Sequence, residues 1–136
     1  MLGVALVGVL TAIALPAYNG WRTKTLSRQA AQEIEVMSVV IKQFQEDARV
    51  YPPDLAAVGL NTKLDPWGRA YQYLPAPVHG HGGVRKDRAL NPINTDFDLY
   101  SVGPDGDTQV QLDNRVSLDD VIRARDGGFI GVAADF

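Results

Sequence analysis

The first eighteen residues, Met1 to Tyr18, carry no charged side chain and pass without a break into a polar, helix-patterned segment holding Arg22, Lys24 and Arg28. A run that is apolar on every side stays out of water only if something covers it. A cleaved signal peptide would put a basic leader before the apolar core and a small-residue cleavage site after it. Here no basic residue precedes the run, and the helical pattern continues past Ala17. A bilayer crossing takes roughly 20 apolar residues, so the stretch is slightly short for a simple anchor. A buried core helix of this kind would need more surrounding protein than the rest of the chain supplies.

With 136 residues and 46% hydrophobic content, the chain has room for one modest domain behind the stem. The expected division is an apolar stem over 1–24 and a globular domain over 25–136. The net charge of −3 hides an asymmetry, because residues 91–136 carry three Lys/Arg against nine Asp/Glu. Something in the fold has to relieve that excess. There are no cysteines, which excludes disulfide staples, thiolate metal sites and thiol catalysis.

Leu26, Ala30, Ile34, Met37, Ile41, Phe44 and Ala48 recur at spacings of three and four. They predict one apolar stripe of a long amphipathic helix with its charged and amide residues facing outward. Pro16 removes a backbone donor and favours a kink or a locally unwound stretch; with Gly8 it gives the stem two weak points. The helix is expected to end near Arg49, since Tyr51-Pro52-Pro53 cannot extend it. Asp54 can then cap a short second helix, Leu55 to Val58, closed by Gly59.

Asp65-Pro66-Trp67-Gly68 reads as a turn leading into an aromatic strand through Leu74. Residues 75–95 read as a long irregular connection. His79 and His81 within it could ligate a metal, but a solvated pair is the plainer reading. The run Arg85-Lys86-Asp87-Arg88 is too short to indicate nucleic acid and is expected to face an acidic patch on another subunit. A second strand is expected over Asp96–Val102, followed by Gly103-Pro104-Asp105-Gly106-Asp107. Ser117-Leu118-Asp119-Asp120 fits a capping box ahead of a helix through Val121-Ile122-Arg123-Ala124-Arg125, closed by Gly127-Gly128. Phe129–Val132 reads as a last strand. No nucleophile elbow, P-loop or dinucleotide fingerprint accompanies these elements, so no enzyme is expected.

Gly8, the Thr11–Tyr18 passage and the amphipathic helix behind it resemble the N-terminal stem of type IV pilin-like proteins. The Tyr51-Pro52 helix exit, the Asp65-Pro66-Trp67-Gly68 turn and the run Asp98-Leu99-Tyr100-Ser101 through Gly106 resemble the major pseudopilins of type II secretion. The resemblance implies an α+β fold, with a long N-terminal helix packed on a small antiparallel β-sheet. It implies a filament subunit that polymerises through its stem, with Leu6, Gly8, Val9, Ile13 and Pro16 in the assembly surface and a section near Pro16 that melts on assembly. It further implies an N-methylated segment before Met1 carrying a Glu and a prepilin-peptidase site. The expected location is a Gram-negative inner membrane with the domain in the periplasm, then a filament. Minor pseudopilins and inner-membrane assembly proteins are the implied partners, with no nucleic acid.

In that family the loop after the second strand binds calcium, a cation that takes six to eight oxygen ligands. Asp105 and the backbone carbonyl of Val102 match the family's ligands, and Asp107, Asp113, Asp119 and Asp120 complete the candidate set. Two alternatives stay open: a type IV pilus subunit for adhesion, motility or DNA uptake, and a monomeric membrane-anchored calcium-binding module.

Overall fold

The computed structural model describes residues 2–75 and 83–136; His79 and His81 lie outside the described residues. Helix α1 runs from Leu2 to Ala48, a rod of about 70 Å at the usual rise per residue. Its two halves differ in what they touch. Along the stem, Val4, Leu6, Val9 and Ile13 are between 59% and 78% exposed, whereas Ala30, Ile34, Met37 and Ile41 are buried. The stripe expected from the three-and-four spacing is therefore the docking face, fading at its ends where Leu26 and Phe44 are half-buried and Ala48 is exposed.

Four antiparallel strands follow, in the spatial order β1-β2-β3-β4: Gln72–Pro75 (β1), Phe97–Ser101 (β2), Val121–Ala124 (β3) and Phe129–Val132 (β4). Register is set by pairs such as Tyr73 with Leu99, Tyr100 with Ile122, and Ile122 with Gly131. Successive strand residues point to opposite faces. Phe97, Leu99 and Val121 join the helix stripe and Tyr71 in one core, while Ile122 and Ala124 join Ile93, Leu112 and Ala133 in a second. The arrangement is the α+β, pilin-like one expected. The helix is also tied to the segment ahead of β1 by the Tyr71 hydroxyl, which donates to Glu33 at 2.5 Å, and by Lys63 paired with Glu33 at 3.2 Å.

Three local expectations change. The helix continues through Pro16 without unwinding; a proline costs one ladder bond, and the small and straight-chain residues around it favour helix strongly enough to carry it. The segment Leu55–Val58 is a 3₁₀ turn, capped as foreseen by Asp54, which accepts from the Ala57 N–H at 3.0 Å, and closed by Gly59 in the left-handed region. Val121–Ala124 is an interior strand rather than a helix. All four of its residues are buried, because both faces of the sheet are covered; an interior strand of this kind loses the polar alternation that would announce it. Ser117 accordingly caps no helix. It ends a 3₁₀ turn whose own cap is Asn114, and its hydroxyl donates to the Gln109 carbonyl at 3.0 Å and accepts from the Gln109 N–H at 2.8 Å.

Candidate functional site

Two features separate this molecule from an ordinary small α+β domain: the uncovered stem and the acidic loop between β2 and β3. On the stem, the described apolar side chains through Trp21 face outward with no tertiary partner. Tyr18 and Trp21 are both exposed and stand beside each other, with ring centroids 6.3 Å apart. A Cβ built on Gly8 would meet no atom within 4 Å, so nothing inside the chain requires a glycine there. The helix contains the chain's one described segment long and apolar enough to cross a membrane.

The acidic loop is built from the two turn motifs noticed in the sequence, which interlock. The Asp65 carboxylate accepts from the backbone N–H groups of Trp67 and Arg69 at 3.0 and 2.8 Å, holding its own turn. Its second oxygen accepts from the Ser101 hydroxyl at 2.6 Å at the end of β2, and Ser101 Oγ accepts from Gly103 N at 3.2 Å. Arg69 then donates to the Gly103 carbonyl at 2.8 Å. Both glycines of this loop are required. Gly103 (φ +67°) lies so close to the Asp119 carbonyl that a Cβ would sit 2.4 Å from it, and a Cβ on Gly106 (φ +79°) would meet the Arg69 guanidinium at 2.7 Å.

This framework sorts the six candidate ligands. Asp105 and Asp119 come together: the Asp105 N–H donates to Asp119 Oδ2 at 3.3 Å. Burial first, and then the charge of Asp105, hold the Asp119 carboxyl above its ordinary value against the pull of that N–H. Val102 is buried at the root of the loop, three residues before Asp105. Asp107 donates its N–H to Asp105 Oδ1 at 2.9 Å and shapes the turn. Asp113 lies 3.9 Å from Arg88 in an exposed pair. Asp120 is fully buried, 2.5 Å from Arg85, and also accepts from Thr108 at 2.6 Å. Burial pushes its carboxyl up to about 6, with Thr108 and Arg85 pulling the other way. Among the described residues, no group of three or more His, Cys, Asp or Glu side chains is placed to hold a metal ion. The pair Asp105 and Asp119 does fit the carboxylate part of a hard-cation site, where carbonyls and water supply the remaining oxygens.

Arg85 is the correction of most consequence. The sequence placed it in an exposed basic run, but it is 2% exposed. Its guanidinium reaches Asp120, Thr108 and the Gln109 carbonyl and lies 4.3 Å from the Tyr100 ring centroid. Arg123, equally hidden, pairs with Asp96 at 2.6 and 2.7 Å over the Phe97 ring. Arg123 is already counted in the C-terminal charge balance, whereas Arg85 comes from outside that segment and pairs one of its acids from inside. No spacing rule marks a buried arginine; the only available hint was the charge imbalance itself.

Over 84 residues the chain is 32% identical to the fimbrial protein EcpC of Eikenella corrodens, a match covering 62% of this chain and 54% of that protein. The chain thus spans about half the length of this curated relative. No family model matches the sequence, and no solved structure matches it.

Removing one partner of a buried pair strands the other charge, at a cost of roughly 3–5 kcal/mol. Arg85→Met is therefore expected to lower the unfolding free energy of the detergent-solubilised chain by about 3 kcal/mol, with Lys86→Met nearly neutral. Urea titration followed by circular dichroism measures both.

Proposed function

We propose that this chain is the structural subunit of a pilin-like filament, most like the major pseudopilin of a type II secretion system. The observation that carries the filament reading is the stem: a continuous helix whose described first half is apolar and uncovered while one face of its second half is docked on the domain. The similarity to a fimbrial protein supports a pilin-like family and a structural rather than catalytic role.

The mechanism is one of exchanged apolar surroundings. Before assembly, lipid covers the stem in the inner membrane, with the domain on the periplasmic side. In the filament, stems of neighbouring copies take the place of lipid, so apolar surface never meets water. Without a hydrophobic gain between lipid and helix, close packing decides association. The open space around Gly8 lets another backbone approach, and Leu6, Val9 and Ile13 supply the surrounding contacts. Continuity through Pro16 describes the unassembled chain; melting of that section belongs to assembly. Minor pseudopilins and inner-membrane assembly proteins are the partners this reading requires. A surface pilus subunit is the second reading, and the word fimbrial in the relative's name favours it.

A charged side chain within the stem has no partner in a packed core and is costly in hydrocarbon. Val9→Asp is expected to abolish filaments seen by negative-stain microscopy while leaving the domain's circular dichroism unchanged. Filaments of normal number and length from Val9→Asp would contradict the stem-driven mechanism.

We also propose that Asp105 and Asp119, with the Val102 carbonyl, hold a calcium ion. Such an ion supplies the positive charge that their juxtaposition lacks, and binding a folded site adds to folding stability. Asp107, Asp113 and Asp120 have other tasks and are left out of the set. Calcium at about a hundredfold excess over its dissociation constant is worth about 2.7 kcal/mol, so chelation is expected to lower the thermal midpoint by several degrees. Asp105→Ala is expected to give the lowered midpoint with or without chelator. A midpoint indifferent to calcium in the unaltered chain would refute this site.

A further inference from the structure

Where the stem leaves the domain, a groove of about 510 Å³ opens between α1 and the edge strand β4. One wall carries Lys24 and Arg28; the other carries Asp119 and Asp135, with Ile130 and Val132 of β4 among the lining residues between them. Among the described residues none of these four charged side chains is in an ion pair with another. The groove therefore presents separated charges of opposite sign, without ionic partners, over the outer edge of the apolar residues that pack on the core.

Its position along the rod matters as much as its charge. If the apolar stem occupies a bilayer, Tyr18 and Trp21 are the aromatic pair that sits at the boundary between hydrocarbon and headgroups. At the helical rise of about 1.5 Å per residue, Lys24 and Arg28 then lie roughly 4 and 10 Å beyond Trp21. The headgroup layer adds some 5–8 Å on each side of the hydrocarbon, so Lys24 lies within it and Arg28 just past its outer edge, from where a long side chain reaches back. A lipid whose acyl chains lie along the stem brings its headgroup to this groove.

We infer that the groove binds the headgroup of a zwitterionic phospholipid bearing a primary ammonium, the ethanolamine class. Its phosphate meets Lys24 and Arg28 on α1, and its ammonium meets Asp135 across the groove, Asp119 being engaged by the Asp105 N–H. The Asp135 carboxylate repels a headgroup that is anionic throughout, and a choline headgroup has no N–H to donate to it. This inference rests on the membrane-stored stem of the proposed function. It goes further in naming a lipid class held before assembly, one that a neighbouring subunit would have to displace.

The test uses the full chain, isotope-labelled in neutral detergent and titrated with short-chain phosphatidylethanolamine, phosphatidylglycerol and phosphatidylcholine while the Gly131 and Val132 amide signals are followed. A saturable shift with the ethanolamine lipid is expected at the lowest concentration. Arg28→Gln and Asp135→Asn should each raise that concentration about threefold, as loss of a partly exposed charge contact does, and Asp135→Asn should also narrow the preference over phosphatidylglycerol. No saturable shift, equal affinity for all three lipids, or a shift produced by raising protein concentration without lipid would overturn the inference, the last pointing to a second copy of the chain in the groove. Flotation with vesicles separates the two claims. A chain that floats but shows no headgroup-dependent shift refutes the groove alone, whereas one that fails to float with any vesicle refutes the membrane-stored stem and the groove together.

Discussion

The cluster formed by Ala30, Ile34, Met37 and Ile41 with Tyr71, Phe97, Leu99 and Val121 is the contact on which the rest of the molecule depends. It fixes one half of a 47-residue helix to the sheet, and so determines that the apolar half projects uncovered by the described residues. An isolated apolar helix of that length would collapse onto any available surface. Here rigidity prevents it, since the helix continues unbroken into a half that is already immobilised. The exposed stem is thus a consequence of the core as well as of its own composition.

The sheet under that core is thin, with strands of four and five residues, and long loops must be anchored around it. Buried charge does much of that anchoring. Arg85 draws together the β1–β2 connection, the acidic loop and Asp120 just ahead of β3; Arg123 ties β3 to the start of β2 through Asp96. Asn94 adds to this by donating to Asp98 and to the Arg123 carbonyl at 2.9 and 2.8 Å. Pairs of this kind contribute little net stability, but they make wrong arrangements expensive, because any other register leaves a charge unpaired in the interior. With no cysteine to staple the loops, this is how the acidic C-terminal part keeps one conformation.

How much of this was readable from residues alone depended on whether a feature left a local signature. The three-and-four spacing from Leu26 to Phe44 gave the docking face, and Asp54 with Gly59 gave the boundaries of a short turn, because both patterns follow from backbone geometry. The strands near Tyr73 and Leu99 announced themselves through aromatic residues and the turns beside them. β3 did not: Val121-Ile122-Arg123-Ala124 is covered on both faces, so its apolar and polar residues carry no alternation, and the acids before it imitate a helix cap. The Arg85–Asp120 pair is hidden from the sequence for the same reason, since residues 35 apart leave no periodic trace of meeting. Calcium was suggested by the family resemblance rather than by the loop's composition, and the sorting of its carboxylates, with Asp105 and Asp119 together and Asp113 and Asp120 elsewhere, needed the fold.

The account as a whole stands on the claim that the uncovered stem finds its cover in other copies of the same stem. Because the chain has no cysteine, a single Ile13→Cys substitution can carry a spin label whose collisions with dissolved oxygen report how open that position is. In dilute membranes the label should collide freely, and on assembly its collision rate should fall severalfold, while a label at Val36→Cys serves as a reference on the domain half. An oxygen accessibility at position 13 that stays the same in filaments and in dispersed chains would contradict the claim.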